Sequence, residues 1–267
     1  MTRIAIVEWE DGLLPGTEAW SRIRALVDDL HPDILVTNEM PFGNWLPRVK
    51  GFDPEQAQAW ARLHDEALDE LAALNATTIV SSRPVMHPDA LANEAFIMER
   101  GTYRFLHHKH LFPAEPNWEE ASWFKPFHSG FEPLAAGKTM IGALLCTELM
   151  FPRCAKLLGQ RGADVIAAPR ATGGNSVLWH AASVMAAASA GAYVVSSNRS
   201  RNPASPDSIF GGGGFATDPH GRLIGTTSEE NPVVVVEIDE SIARAAKSEY
   251  PHYVSEEYLG GQFPGAD

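Results

Sequence analysis

The stretch Ile141–Pro169, IGALLCTELMFPRCAKLLGQRGADVIAAP, contains the repeating unit of the fold. An apolar run halts at a cysteine and a glutamate, a helix-like segment follows, and a second apolar run closes the stretch. Two short apolar runs joined by a helical pattern predict strands covered by helices. Cys146 sits where the first run stops. Free cysteines are commonly small buried hydrophobes, and that is one reading. The other is a nucleophile, because the carboxyl ends of strands in α/β sheets face the ligand crevice. Cys154 lies inside the helical pattern and reads as core filling.

The same theme extends in both directions. Towards the N-terminus, residues 3–8 read as a strand, 18–30 as an amphipathic helix and 33–37 as a second strand. Pro54 opens a helical stretch to Leu74, and residues 77–81 form a third strand. Residues 93–99 and 103–107 alternate around Arg100-Gly101 as a hairpin. Residues 111–138, rich in Pro, Trp and Phe, predict a long irregular loop over a site. The second half reads as strand 139–145, helix 150–161, strand 164–168, helix 176–191 and strand 193–197. A hairpin over 215–226, turning at DPHG, and a strand over 233–238 close it. No low-complexity linker divides the chain, which predicts a single domain over 1–267 with two sheets and outer helices. The tail from Ser248, with Tyr250, Tyr253, Tyr258 and Phe263, lacks periodicity. It reads as a segment wrapping a partner subunit or as a disordered end.

Bulk composition narrows the function. A formal net charge of −13 argues against nucleic acid and anionic membranes as partners, since both attract clustered Lys and Arg. No apolar run reaches the ~18 residues of a membrane span, and Met1-Thr2-Arg3 leads straight into a strand pattern, so neither span nor leader is expected. Two cysteines make no disulfide framework and suit a reducing cytoplasm. The Asn-x-Ser/Thr matches at Asn75 and Asn198 are accordingly expected to carry no sugar.

Three further positions could carry chemistry. Glu39 follows the apolar DILVTN, where a charge is unfavourable unless it faces a site; a solvated strand end is the alternative. Lys109, in RFLHHKHLFP, follows the hairpin and otherwise reads as a solvated lysine. His107, His108 and His110 raise a metal reading, but only His108 and His110 share a strand face and no H-E-x-x-H or Cys/His pairing completes a zinc set. No metal is therefore expected. The Gly211–Gly214 run lacks the lysine of a phosphate-binding loop, and no G-x-S-x-G elbow supports a serine triad. A thiol, a carboxylate and an ammonium at strand ends suit thiol-based acyl transfer: the thiol needs a base and a cation, and the lysine can hold an oxyanion.

In PDILVTNEMPF, HHKHLFP and LLCTELMFPRCAKLLGQRGADVIAAP, in that order, the chain resembles the nitrilase or carbon–nitrogen hydrolase superfamily. VVSSNR and GGGGFATDPHGRLIG extend the likeness. The resemblance implies a four-layer α-β-β-α sandwich. It implies Glu39 as general base, Lys109 as oxyanion stabiliser and Cys146 as nucleophile, with the Thr147 backbone N–H as second oxyanion donor. EASWFKP is similar to the segment of a second glutamate that orients the substrate, here Glu120, with Glu119 the neighbouring alternative. The implied reaction is ping-pong hydrolysis of a small amide through a thioester, with no metal or organic cofactor, in a homodimer or larger assembly. Thr147-Glu148 matches neither the Trp-Glu-Asn of nitrilases nor the Tyr-Asp or Trp-Asp of many amidases. Amide hydrolysis is the reading, with nitrile or N-carbamoyl substrates as alternatives and an inactive binding protein as the alternative of another class. Arg170 is a candidate for a substrate carboxylate or a surface arginine; Trp118, Trp123, Trp179 and Phe124 are pocket walls or plain core.

Overall fold

The computed structural model describes residues 1–128, 130–174, 176–205 and 207–254. Its first half runs β1 (Thr2–Val7), α1 (Glu18–Leu30), β2 (Ile34–Val36), α2 (Pro54–Glu66), α3 (Leu68–Ala72), β3 (Thr78–His87), β4 (Ala90–Glu99) and β5 (Thr102–His108). The second runs β6 (Leu134–Ala136), β7 (Thr139–Ala143), α4 (Pro152–Gln160), β8 (Val165–Ala167), α5 (Ser176–Ala190), β9 (Tyr193–Ser196), β10 (Phe215–Thr217), β11 (Leu223–Thr226), β12 (Val233–Ile238) and α6 (Glu240–Ala246).

Local chemistry starts the helices where the sequence predicts. The Thr17 hydroxyl accepts from the Trp20 amide at 3.3 Å and opens α1. Asp53 caps α2 through the Glu55 and Gln56 amides, with Pro54 in the first turn.

The strands form two six-stranded sheets, ordered β12-β1-β2-β3-β4-β5 and β11-β10-β9-β8-β7-β6. β1, β2 and β3 pair in parallel, as do β7, β8 and β9; the outer pairs are antiparallel. Alternation decides which side chain goes where. Ile4 and Ile6 point between the sheets with Val36, Ile141, Ala143, Val165 and Val195. Ala5 and Val7 point outward under Trp20, Val27 and Leu71 of the helices. On the far face, Ala155 and Leu158 of α4 and Ala186, Ala187 and Ala190 of α5 cover Leu144, Ile166 and Val194. The result is the four-layer α-β-β-α sandwich.

Four details differ from the sequence-based expectation. The helix over 54–74 breaks at Ala67. Ala57 and Trp60 bury against Met40 and Trp45, whereas Ala67 and Leu71 bury under Trp20 and Leu35, so the two halves serve different faces. The loop over 111–138 contains a 3-10 turn, Glu120–Ser122, and the short edge strand β6. β3 continues to His87, well past Ser81, and α6 follows β12 unpredicted. Of the tail aromatics, Tyr250 and Tyr253 lie in a turn region, while Tyr258 and Phe263 lie outside the described residues.

The two sheets are joined at their strand ends. The Ser197 hydroxyl donates to the Val36 carbonyl at 2.6 Å and accepts the Val7 amide at 2.8 Å. The Glu39 amide donates to the Arg170 carbonyl at 3.1 Å, and the Cys146 amide to the Pro169 carbonyl at 3.0 Å. Residues just past β2, β7 and β8 are thereby brought to one place.

Candidate active site

Glu39, Lys109 and Glu120 meet at that place, all fully buried. Glu39 follows β2, and its loop is held by the Met40 amide donating to the Ser82 hydroxyl at 2.9 Å. Lys109 leaves β5 with its amide on the Asn93 carbonyl at 2.9 Å. The lysine ammonium donates to Glu39 Oε1 at 2.9 Å and to Glu120 Oε2 at 2.6 Å. Asn93 Nδ2 donates to the same Glu39 oxygen at 2.7 Å. Glu39 Oε2 and Glu120 Oε1 remain buried with no hydrogen-bond partner. Glu120, rather than the half-buried Glu119, is the glutamate that reaches the lysine.

Cys146 begins a 3-10 turn, Cys146–Met150, and is 2% exposed. Its φ is +50, a left-handed conformation that a side-chain-bearing residue adopts only under constraint. The thiol belongs to the buried cluster that includes Leu144 and Leu149. Thr147 follows it, half-buried. Cys146 and Cys154 are both free thiols.

The charges are mutually dependent. Burial disfavours the Lys109 ammonium, but Glu120 and Glu39 outweigh it and hold the group above its ordinary value. Burial pushes Glu120 up to about 8; Lys109 pulls against that rise and Glu39 adds to it. Burial, reinforced by the Glu39 charge, holds the Cys146 thiol far above the ordinary thiol range. Cys146 is therefore a neutral thiol within the electrostatic reach of a cation and two carboxyl groups.

The remaining predicted residues fall around this centre. Arg170 is 1% exposed rather than a surface arginine. Its Nε donates to the Ser196 hydroxyl at 2.6 Å, Nη2 to the Gly213 carbonyl at 2.6 Å and Nη1 to the Thr172 hydroxyl at 3.3 Å. The guanidinium lies over the rings of Trp179 and Phe215, 4.9 and 4.5 Å from their centroids. Each of its nitrogens is engaged internally, which weighs against a primary role on a substrate carboxylate. The Trp118 indole N–H donates to the Ala171 carbonyl at 2.9 Å, spanning the segment after β8. Trp123 and Phe124 are core residues of an aromatic cluster with Met40, Trp45, Trp60 and Phe210. The Trp123 indole donates to the Val49 carbonyl at 2.7 Å. This cluster backs the Glu39 loop.

Sequence reasoning missed two supports. Asn93 orients Glu39 and anchors Lys109 through its side chain and its carbonyl; a polar pair, Asn93-Glu94, interrupting an apolar run was the available signal. Arg199, fully buried, donates to the carbonyls of Gly43 and Met40 and pairs with Asp11 at 2.6 Å. It braces the loop that carries Glu39, and only these bonds from the segment after β9 reveal it.

A four-layer sandwich with a constrained, buried cysteine at its strand ends defines a class of α/β hydrolases. The chain belongs to the carbon-nitrogen hydrolase family, whose model matches residues 54–247. It is 32% identical over 79 residues to an N-carbamoylputrescine amidase of Oryza sativa subsp. japonica, covering 30% of this chain and 26% of that protein. It is 33% identical over 95 residues to a nitrilase of Pyrococcus abyssi, covering 34% of this chain and 33% of that protein. The matched segments thus span a third or less of these curated relatives. Among solved structures, it resembles a carbon-nitrogen hydrolase of Helicobacter pylori G27 with a TM-score of 0.80 at 17% identity, over 94% of each chain. An amidase of Nesterenkonia sp. aligns with a TM-score of 0.72 at 20% identity, over 93% of this chain and 94% of that one.

Proposed function

We propose that the protein hydrolyses a small linear amide to a carboxylate and ammonia through a thioester on Cys146. The observation that carries this reading is the buried ion-paired cluster of Glu39, Lys109 and Glu120 beside that cysteine. Glu39 Oε1 is occupied by Asn93 and Lys109, leaving Oε2 as the acceptor for the thiol proton. Because the thiol is held neutral, deprotonation accompanies attack: sulfur bonds to the carbonyl carbon as Glu39 takes the proton. Lys109 has three N–H groups, of which Glu39 and Glu120 take two; the third, with the Thr147 amide, holds the oxyanion. Glu39 returns its proton to nitrogen, the C–N bond breaks and ammonia leaves. Glu39 then takes a proton from water as the hydroxyl adds to the thioester, and the thiol is restored.

In its carboxylate form, Glu120 favours an amide over a nitrile through Oε1. A free buried acceptor is matched by the amide NH2, whereas a nitrile nitrogen has no hydrogen to donate. N-carbamoyl compounds carry the same NH2 and belong in the same substrate panel, as the N-carbamoylputrescine amidase relative suggests. Variants of the Nesterenkonia amidase hold butyramide in one structure and, in another, acrylamide added at the active-site cysteine, which supports short chains as first substrates.

The whole chain is read as one hydrolase domain working in the cytoplasm, a setting that suits two free thiols. No helix among the described residues is long and apolar enough to cross a membrane. A dimer or larger assembly is proposed from α5, whose outer residues Val177 and Met185 are 78% and 54% exposed.

The test is ammonia release from small amides, ω-amides, N-carbamoyl compounds and nitriles. Cys146→Ala is expected to lose activity by on the order of 10³-fold or more without a change in thermal midpoint. Iodoacetamide, itself a small amide, should label Cys146 ahead of the more exposed Cys154. Equal, slow labelling of both cysteines and no ammonia from any substrate would establish the inactive binding-protein reading instead.

A further inference from the structure

His107 and His110 stand on either side of Lys109, and the proposed reaction uses neither side chain. Strand alternation pairs His108 with His110, but β5 ends at His108. The chain's turn beyond it brings the His107 and His110 rings to 5.2 Å between centroids. Glu148, from the turn after Cys146, meets both. His107 Nε2 lies 3.1 and 2.9 Å from its two oxygens, and His110 Nδ1 lies 3.9 Å from Oε1. The three donor groups lie within 4.8 Å of one another. Phe131 packs against both imidazoles, at 4.6 and 5.5 Å.

The bonding of His107 leaves one ring nitrogen facing Glu148. Its Nδ1 is 3.0 Å from the Gly130 carbonyl, which can only accept, so Nδ1 carries hydrogen. In a neutral ring Nε2 would then be bare, yet it faces a carboxylate that also only accepts. Nε2 and the Glu148 oxygens are thus ligand atoms directed at one another, 2.9 and 3.1 Å apart. His110 supplies a third ligand atom. Its Nδ1 is buried with no hydrogen-bond partner, while its side chain keeps 24% exposure as a route from solvent. Tetrahedral zinc places its ligand atoms roughly 3.3 Å apart. His107 and Glu148 lie close to that spacing, and His110 Nδ1 lies 3.9 Å from Glu148 Oε1.

We infer that His107, His110 and Glu148 form a site for a Zn²⁺-class cation whose binding slows the hydrolase. Two imidazoles and one carboxylate suit Zn²⁺, with water as the fourth ligand. The effect on catalysis follows from the other partners of Glu148. Its Oε2 accepts the Leu145 amide at 2.8 Å, one residue before Cys146, and its Oε1 accepts the His110 amide at 2.7 Å, one residue after Lys109. Drawing Glu148 and His110 onto an ion displaces the backbone on both sides of the nucleophile and the lysine.

Calorimetric titration of Zn²⁺ into the Cys146→Ala protein tests the site without the active-site thiol as a competing ligand. One equivalent should bind, and Cys146→Ala/His110→Ala should bind at least about tenfold more weakly. His110→Gln serves if the alanine variant does not fold. Equal binding in both proteins, or none in either, overturns the site. The regulatory half rests on the amidase reading and is measured by inhibition of ammonia release. His110→Ala should need about tenfold more Zn²⁺ than wild type for half-inhibition. Equal inhibition with unequal binding overturns the regulatory half alone, and the binding arm stands even if no substrate is found.

Discussion

At the scale of single residues, the site depends on groups held away from their solution behaviour. Cys146 keeps a left-handed backbone at φ +50, a strain on the order of 1–3 kcal/mol that the surrounding strand ends must hold. Glu120 gives the clearest consequence for pH. Burial raises it from 4.5 to about 8, so its carboxylate form is lost as pH falls through about 8. If that form accepts the substrate N–H, kcat/KM for an amide should rise between about pH 6.5 and about pH 8.5. The Cys146 thiol, held above the ordinary range, stays protonated throughout and adds no opposing limb. A pH–rate series on wild type and Glu120→Gln checks this; an identical rise in the variant removes Glu120 from the assignment. Glu39 and Lys109 were legible as odd charges after apolar strands. That Lys109 is wholly buried, and that Asn93 joins it to Glu39, was not legible, because those contacts link residues far apart in sequence.

At the scale of elements, periodicity located most strands and helices, and the departures have packing causes. The helix over 54–74 has one continuous pattern, yet its halves bury against different clusters and the chain turns at Ala67. β6 was hidden because a three-residue edge strand carries too little alternation to register. The contact between α4 and α5 gives a sharp prediction. A Cβ on Gly159 would lie 2.1 Å from the Ala190 carbonyl oxygen, a backbone atom that cannot rotate away. Gly159→Ala should therefore lower stability by about 1–3 kcal/mol despite alanine's better helix propensity. Urea unfolding measures it, and an unchanged midpoint would show that the helices can separate freely.

At the scale of the whole molecule, α5 has no charged residue from Ser176 to Ala190, and it buries only one side against the second sheet. An apolar helix with an open outer face is the proposed assembly surface. Met185→Asp should convert a dimer to monomer in light scattering coupled to size exclusion, with the fold intact by circular dichroism. A wild-type monomer at the same concentration would refute the assembly. The sequence by itself determined the layers, since alternation and helical periodicity are local properties of the chain, and it marked Cys146, Glu39 and Lys109 as charges and a thiol at strand ends. Only the tertiary structure decided which of these meet. Ser197 ties β9 to β1 and β2, and the Glu39 amide reaches the Arg170 carbonyl, so two separate sheets present their ends together. It also chose Glu120 over Glu119 and turned Arg170 inward. Those outcomes depend on hydrogen bonds and burial between distant segments, which no local pattern encodes.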